Sequence, residues 1–438
     1  MSSRRSRWLD PSIMVALVII GTVSCLLRVP AAHHDIVWAE DANVFLFENL
    51  NLGPWAALFN GYAGYQHLVP RIASAGVIAL AGVEQYAVVT FWTCALITGL
   101  IGAAVYWLSR SVLRWVPAQF AAALITFTLP LATQEVIGNF ADIHTYFMWL
   151  VPWLIFSRPQ SRLAASAWAI VAFAAMMTEV QAVLFLLLLP FFLRRPDRRA
   201  WPIFAALCAG AVWQIATVLT VERDSAAAWL GIPSYIQGWL INVPMPMAIA
   251  DPASVRHHLQ TSGLLIPAVI AMVFLSAYIV AVIWGDGRQR LLATTFLLAS
   301  GAIYAAGATV DGSWWFRYGD GDAEIWDRIL NVRYGVAAGM MLAGIVPITA
   351  AVLRSRARVA RRAGGWLTGL AWIAPAAMVV TFAVASTQAI SIRGWVEGPW
   401  SPAVRAAVVS CEAGSTTQNA LPVAPERMVT LTCVQLTR

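Results

Sequence analysis

Long apolar segments recur along almost the whole chain, and they constrain its fold more than any other feature. Of the 438 residues, 60% are hydrophobic and only 12% are charged, and the mean hydropathy is +0.69. A helix needs about 20 apolar residues to cross the hydrocarbon core of a bilayer. A soluble domain built around one core does not contain so many segments of this kind. The sequence therefore predicts an all-α polytopic membrane protein.

We predict about eleven transmembrane helices joined by polar connections. Their approximate bounds are 12–29, 86–107, 118–133, 144–157, 163–177, 179–193, 201–219, 263–284, 290–310, 334–353 and 366–388. The first 32 residues also resemble a signal peptide, because three arginines precede an apolar run that ends in small residues. With ten further spans to follow, we interpret this segment as an uncleaved first helix.

Residues 68–83 are apolar enough to cross, but a crossing there would reverse the side of every later loop. The sequence favours a re-entrant or interface-lying helix. The alternative is that the boundaries assigned to two flanking segments are wrong. Half-crossing backbone is tolerated at membrane depth only where protein or a wet cavity covers it. We therefore expect this segment to mark a cavity.

The charged residues divide the connections into two sets. All 29 basic residues are arginine, and 18 of them lie in one set with only three acids, Asp10, Asp197 and Asp286. The positive-inside rule assigns that set and the N-terminus to the cytoplasm. The other set holds 11 arginines and 19 of the 22 acids and is expected to face outward from a bacterial plasma membrane. This topology accounts for the net charge of +7 without a nucleic-acid partner.

Residues 1–388 form the predicted membrane domain, with longer outer loops at 30–67, 220–262 and 311–333. Residues 389–438 form a small extracytoplasmic tail in which we expect a short strand or two. Cys411 and Cys433 lie in this polar tail, and outside the cytoplasm they are expected to form a disulfide.

The first outer loop carries adjacent carboxylates, Glu40 and Asp41, close to the membrane surface. Asp41 precedes a short amphipathic helix, so one role for it is to cap that helix. The dense polar and aromatic residues that follow favour a catalytic role instead. A carboxylate there can act as a general base on an acceptor hydroxyl or hold a divalent cation. Asp41 is the candidate metal ligand, and no cofactor is certain.

Tyr62, Tyr65, His67 and Arg71 follow in the sequence YAGYQHLVPR. An aromatic belt with a snorkelling arginine would explain the same residues. Arg71, however, begins the anomalous apolar segment, where a deep cation costs roughly 2.5–3.5 kcal/mol. An anion such as a lipid phosphate would compensate that cost, so the group is a candidate substrate-binding site.

Two later segments supply further candidates on the same side. The loop EVIGNFADIHTYF contains Asn139 and His144, although it could be a simple polar turn. Arg333 and Tyr334 open a late span beside a loop rich in tryptophan, which suits a sugar or a prenyl headgroup. Trp and Arg are also common in any membrane-interface loop. Glu179, in a tight outer turn, is equally ambiguous.

The sequences WAEDANVFL, YAGYQHLVPR and EVIGNFADIHTYF, and the Arg-Tyr pair before a late span, together resemble the GT-C class of membrane glycosyltransferases. The resemblance implies transfer of a sugar from a polyprenyl-phosphate donor to an extracytoplasmic acceptor, with inversion at the anomeric carbon. It assigns the acidic residue of the first outer loop to Asp41, with Glu40 beside it, and makes Arg71 and Arg333 phosphate ligands. The chain departs from the class in lacking a large C-terminal sugar-binding domain.

Two other functions fit the same features. A transporter or flippase of lipid-linked sugars would also collect arginines and aromatic rings in a cavity, but inverted repeats are not evident here. A non-catalytic subunit of an envelope-assembly complex would not depend on Asp41. In each case membrane lipids are partners. The sequence does not specify the donor sugar, the acceptor or an oligomeric state.

Overall fold

Apolar segments form helices throughout the computed structural model, which describes residues 5–193, 197–223, 227–321, 332–360, 364–396 and 398–438. The α-helices, numbered in chain order, are α1 Arg5–Arg28, α2 Phe47–Leu52, α3 Pro54–Leu58, α4 Leu68–Ala81, α5 Tyr86–Ser109, α6 Val116–Thr128, α7 His144–Ile155, α8 Arg162–Met176, α9 Leu189–Leu193, α10 Trp201–Thr220, α11 Ile232–Asn242, α12 Met245–Ala248, α13 Pro252–Ser262, α14 Leu265–Trp284, α15 Gly287–Asp311, α16 Arg333–Ala357, α17 Gly364–Gln388, α18 Trp400–Glu412 and α19 Cys433–Leu436. A π-helix covers Asp41–Leu46, and 3-10 turns cover Ala31–His33, Pro130–Thr133, Val180–Leu188, Trp314–Phe316, Tyr318–Asp320 and Ile392–Trp395.

Within the described residues, eight helical stretches are long and apolar enough to cross a membrane. They are Asp10–Arg28, Tyr86–Ser109, Val116–Thr133, Trp201–Thr220, Leu265–Trp284, Gly287–Asp311, Arg333–Ala357 and a stretch that begins at Gly364. The chain is thus a helical, polytopic membrane protein. The other three predicted spans, 144–157, 163–177 and 179–193, coincide with shorter helices: α7, α8 and the 3-10 segment that continues into α9.

The arginine-rich connections meet at one end of the bundle, which we call the arginine-rich end. Contacts between distant parts of the chain join them: Arg110 pairs with Asp10 at 2.6 Å, Ser111 Oγ donates to the Phe156 carbonyl at 2.7 Å, and Arg199 Nη1 donates to the Gln160 carbonyl at 3.0 Å. Arg4, Arg194, Arg195, Arg361 and Arg362 of the predicted set lie outside the described residues.

The connections that carry most of the acids meet at the opposite end, the acid-rich end. Helix α4 begins and finishes there. At its start the Leu68 N–H donates to the Met177 carbonyl at 3.1 Å, and just after it the Val83 carbonyl accepts from Trp400 Nε1 at 2.8 Å. Both ends of α4 therefore contact segments of the same end of the bundle, as expected of a re-entrant or interface-lying helix.

Helix α16 is the central element of the bundle, and every residue from Gly335 to Leu353 is buried. Glycines allow neighbouring elements to approach it closely. A Cβ at Gly335 would lie 2.1 Å from the Asn242 carbonyl oxygen, and one at Gly344 would lie 2.6 Å from the Phe296 ring. This packing holds the first turn of α16, with Arg333 and Tyr334, at the acid-rich end. Residues 322–331 of the predicted loop 311–333 lie outside the described part of the chain.

The C-terminal tail packs directly against the first loop. Strands β1 (Gln418–Val423) and β2 (Arg427–Thr432) pair antiparallel, and the residue after β1 bonds to the first loop. The Ala39 N–H donates to the Ala424 carbonyl at 2.7 Å, and the Ala424 N–H donates to the Val37 carbonyl at 2.9 Å. A disulfide joins Cys411 to Cys433, the pair expected from the sequence. The tail thus holds residues 37–39 in place directly before the carboxylates Glu40 and Asp41.

Candidate active site

A cavity of about 210 Å³ opens at the acid-rich end, where the first loop, residues 141–148, the turn at 179–181 and the ends of α15 and α16 meet. Seven of the ten predicted site residues line the cavity: Glu40, Tyr62, Tyr65, His67, His144, Arg333 and Tyr334.

A tight turn presents the two tyrosines. The N–H of each residue of the pair Tyr62 and Tyr65 donates to the carbonyl of the other, at 3.0 and 3.1 Å. Ala63 and Gly64 between them both have positive φ, +51° and +83°, as a type I′ turn requires. The ring of His67 packs 4.0 Å from that of Tyr65. Burial lowers the pKa of His67 well below its usual range, with His144 and Arg71 lowering it further, so its imidazole is neutral at pH 7.

Asp41 does not face the cavity. Its side chain is 1% exposed, and its two carboxylate oxygens accept the N–H groups of Ala141 at 2.9 Å and Phe140 at 3.1 Å. The structure thus differs from the expectation that this carboxylate meets a substrate. Burial raises the pKa of Asp41 to about 7, against the opposing effects of Arg393 and the two N–H groups. Such a pKa would suit a general base, but a base must first reach the proton that it removes.

Three carboxylates line the cavity instead, and two of them, Glu40 and Asp142, have an oxygen without a partner. Glu40 Oε2 and Asp142 Oδ2 are buried and accept no hydrogen bond within the described part of the protein. Buried carboxylate oxygens are costly to leave without a donor, so this arrangement favours a ligand that supplies one. The two residues are linked through Asp41: Glu40 precedes it, and its carboxylate holds the loop that carries Asp142.

Arg333 supplies the positive charge of the site. Its Nη1 pairs with Glu135 Oε1 at 2.7 Å, and its Nη2 donates to the Tyr334 hydroxyl at 3.1 Å. The Tyr334 hydroxyl in turn donates to Asp311 Oδ2 at 2.5 Å. The guanidinium therefore uses two of its five N–H donors on these partners, and its side chain is 38% exposed. Burial raises the pKa of Glu135. The nearby positive charge of Arg333 lowers this pKa, and the nearby negative charges of Asp142 and Glu40 raise it further.

His144 and Glu179 form a pair on another wall of the cavity. His144 Nδ1 contacts Glu179 Oε2, and Glu179 Oε1 accepts the Gln181 N–H at 2.7 Å. Glu179 is 3% exposed, so a buried carboxylate orients the imidazole by one ring nitrogen. His144 lines the cavity in this fixed orientation.

The two other predicted ligands have structural partners. Arg71 pairs with Glu48 at 2.7 Å, its guanidinium lies 5.6 Å from the Phe45 ring, and its side chain is 1% exposed. Asn139 donates to the Glu135 carbonyl at 2.6 Å and accepts the Asp142 N–H at 2.7 Å. Neither side chain lines the cavity. Glu48 offsets part of the cost of burying Arg71, whose buried Nε and Nη2 have no hydrogen-bond partner within the described residues.

A metal site is not evident in the part of the chain that the structure describes. No group of three His, Cys, Asp or Glu side chains there is arranged to hold an ion. Asp41, the residue proposed as a metal ligand, has each carboxylate oxygen engaged by a backbone N–H group. The donor set suits hydrogen bonding and charge neutralisation better than metal coordination.

The sequence left Glu179 ambiguous, and sequence reasoning did not select four other residues of the cavity wall, namely Trp38, Asp142, Gln181 and Arg223. Trp38 and Asp142 lie two residues from predicted members, so their neighbours in the sequence carried a signal. Arg223 follows α10, far in sequence from the other residues, and its Nη1 donates to the Ala63 carbonyl at 3.3 Å. Only the tertiary fold places it at the Tyr62–Tyr65 turn.

Comparison with models of known protein families found no match to this chain. Comparison with curated proteins found no similar sequence.

Proposed function

We propose that the protein is an inverting membrane glycosyltransferase of the GT-C type, which moves a sugar from a polyprenyl-phosphate donor to an extracytoplasmic acceptor. One observation carries the proposal: the cavity combines a partly exposed arginine, Arg333, with two carboxylates that have unpartnered oxygens, Glu40 and Asp142. An arginine matches a departing phosphate, and a carboxylate matches a hydroxyl that must lose its proton.

In this mechanism Glu40 takes the role that the resemblance assigned to Asp41. The acceptor hydroxyl oxygen attacks the anomeric carbon while its proton passes to the Glu40 carboxylate. The bond between the anomeric carbon and the phosphate oxygen breaks, and the electron pair leaves with polyprenyl phosphate. Arg333 stabilises the charge on that phosphate, which needs neutralisation more than protonation. The Tyr334 hydroxyl, whose proton goes to Asp311, accepts from Arg333 and helps to hold the guanidinium in place. The rings of Tyr62 and Tyr65 provide surfaces against which a sugar can pack.

We further propose eleven crossings, in which the three short helical segments also span the bilayer. A 3-10 helix rises about 2.0 Å per residue and an α-helix about 1.5 Å, so residues 180–193 extend over roughly 25 Å. This length is slightly less than the hydrocarbon thickness of about 30 Å. Neighbouring helices can shield the ends of a segment that is too short from the lipid. The arginine-rich end would then face the cytoplasm of a bacterium, and the cavity would open on the other side.

The test uses purified protein in nanodiscs with a panel of radiolabelled polyprenyl-phosphate sugars. We expect label transfer or release with at least one donor, and a loss of at least about 100-fold in Glu40→Gln, the magnitude expected when a general base is removed. Glu84→Gln is the matched control, because Glu84 lies at the same end, paired with Arg405 away from the cavity. Wild-type protein that releases no label from any donor would contradict the function, and full activity in Glu40→Gln would exclude Glu40 as the base.

A further inference from the structure

A second recess, of about 740 Å³, lies at the acid-rich end but on the outer surface of the bundle. The end of α6 forms its floor, and the ends of α1 and α17 form its sides. Ser24 Oγ of α1 donates to the Phe127 carbonyl at 2.9 Å, and Ser386 Oγ of α17 donates to the Thr128 carbonyl at 3.2 Å. Both flanking helices are therefore attached to α6 and leave a groove between them.

Arg28 provides the charge of this recess. Its guanidinium donates to the carbonyls of Phe127 at 2.8 Å and Leu129 at 2.5 Å, and to Thr133 Oγ1 at 2.6 Å. All of these partners are neutral groups at the C-terminal end of α6. A helix C-terminus carries the equivalent of about half a negative charge, so it compensates only part of a full positive charge. In the part of the chain that the structure describes, no acid pairs with Arg28, and none lines the recess.

The remaining walls combine hydroxyl and apolar side chains. Ser391 lines the recess, is 8% exposed, and its buried Oγ has no hydrogen-bond partner within the described residues. Leu27 on one side is 80% exposed, and other apolar residues of α1 and α17, such as Val23 at 43% and Val384 at 54%, are also exposed. A positive polar pocket above two exposed apolar helix surfaces matches a phosphate headgroup above acyl chains.

We propose that this recess is a binding site for an anionic phospholipid, with the lipid phosphate near Arg28 and the acyl chains along the groove between α1 and α17. The charge selects the occupant, because a positively charged recess without acids disfavours a neutral or cationic headgroup. The site shares no residue with the cavity that contains Glu40 and Arg333. It therefore stands independently of the proposed glycosyl transfer.

Native mass spectrometry of delipidated protein, titrated with phosphatidylglycerol or with zwitterionic phosphatidylethanolamine, tests the proposal. We expect at least one phosphatidylglycerol to bind roughly tenfold more tightly than phosphatidylethanolamine, as expected for one charge-assisted contact. Arg28→Gln removes the charge, and Ala383→Trp fills the recess without removing any charge. Val212→Trp is the matched control, because it adds similar bulk to the exposed surface of α10, which neither lines nor flanks the recess.

Loss of the preferential binding in both Arg28→Gln and Ala383→Trp, with retention in Val212→Trp, would support the site. Equal binding of the two lipids by the wild type, or retention of the preference in Ala383→Trp, would overturn it. If Arg28→Gln does not fold because the end of α6 loses its donor, Ala383→Trp decides the result alone.

Discussion

Asp41 shows how one side chain can be essential to a site that it does not enter. Its carboxylate joins the first loop to residues 140–141, about 100 positions away in the sequence, by two backbone hydrogen bonds. This contact sets the relative positions of Glu40 and Asp142 on the cavity wall. Loss of activity on replacing Asp41 would therefore not distinguish a base from a positioning residue, whereas the pH dependence of stability reports the raised pKa of its buried carboxyl.

Asp41 predicts a specific dependence of stability on pH. Its folded pKa is about 7, whereas an unfolded aspartate has a pKa of about 3.9. Between these values the folded protein keeps the proton and the unfolded chain releases it, so stability falls as pH rises and levels off above about pH 7. Asparagine cannot ionise, so the Asp41→Asn variant lacks this pH-dependent contribution to stability. Thermal unfolding in detergent between about pH 5 and pH 8 should show a larger decrease in Tm for the wild type than for Asp41→Asn.

The control for this comparison is Asp251→Asn. Asp251 is a helix cap whose hydrogen bonds to Ser254 lower its pKa, so it is already ionised across this range. Its variant should follow a curve parallel to the wild type. Parallel curves for the wild type and Asp41→Asn would show that Asp41 does not hold a proton in the folded protein near neutral pH.

The Tyr62–Tyr65 turn makes a prediction about backbone conformation. Gly64 has φ +83°, and a Cβ there would meet only ordinary contacts, the nearest at 3.6 Å from Arg223. Gly64→Ala should therefore destabilise the fold through left-handed strain alone, by about 1 kcal/mol. Gly321→Ala is the matched control, because Gly321 has φ +71° and ψ 17°, has no described atom close to an added Cβ, and does not line the cavity. Both variants should lower Tm similarly, but only Gly64→Ala should weaken donor binding; equal effects on binding would contradict a role for the turn in the site.

At the scale of elements, helix α4 is the part of the bundle that length alone does not explain. Its 14 residues extend over roughly 21 Å, less than the bilayer core. Its two ends bond to the turn at Met177 and to Trp400 of the tail, both at the acid-rich end. Because a helix that starts and stops at one end of a bundle does not cross the membrane, residues before and after α4 should be accessible from the same side.

Cysteine labelling tests the path of α4. Trp55, 80% exposed before α4, and Gln85, exposed after it, are each replaced by Cys in a Cys208→Ala background. Cys25 and Cys94 are buried, and Cys411 and Cys433 are bonded to each other, so the background should react little. A membrane-impermeant maleimide should label Trp55→Cys and Gln85→Cys from the same side. Labelling from opposite sides would show that α4 spans the bilayer.

At the scale of the whole molecule, features that depend on local sequence could be predicted and features that depend on distant contacts could not. Apolar length and the distribution of arginine identify the helices and divide the connections, because each property belongs to a contiguous segment. The sequence also brought seven of the cavity-lining residues into consideration. It could not show that Asp41 turns toward the backbone at 140–141, that Arg71 meets Glu48, or that Arg223 reaches the first loop. Each of these contacts joins residues that are far apart in the sequence, so it depends on the tertiary fold.

The orientation of the bundle gives the last prediction. In the sequence, the predicted cytoplasmic connections carry 18 of the 29 arginines with three acids, and their described parts form the arginine-rich end, so positive-inside insertion places that end in the cytoplasm. Val359 at that end is 81% exposed, and Met428 in the tail is 54% exposed. In the Cys208→Ala background, an impermeant maleimide should label Met428→Cys in intact spheroplasts, and Val359→Cys only in inverted vesicles. The reverse pattern would place the cavity in the cytoplasm, where an extracytoplasmic acceptor could not reach it, and the proposed reaction would have to be abandoned.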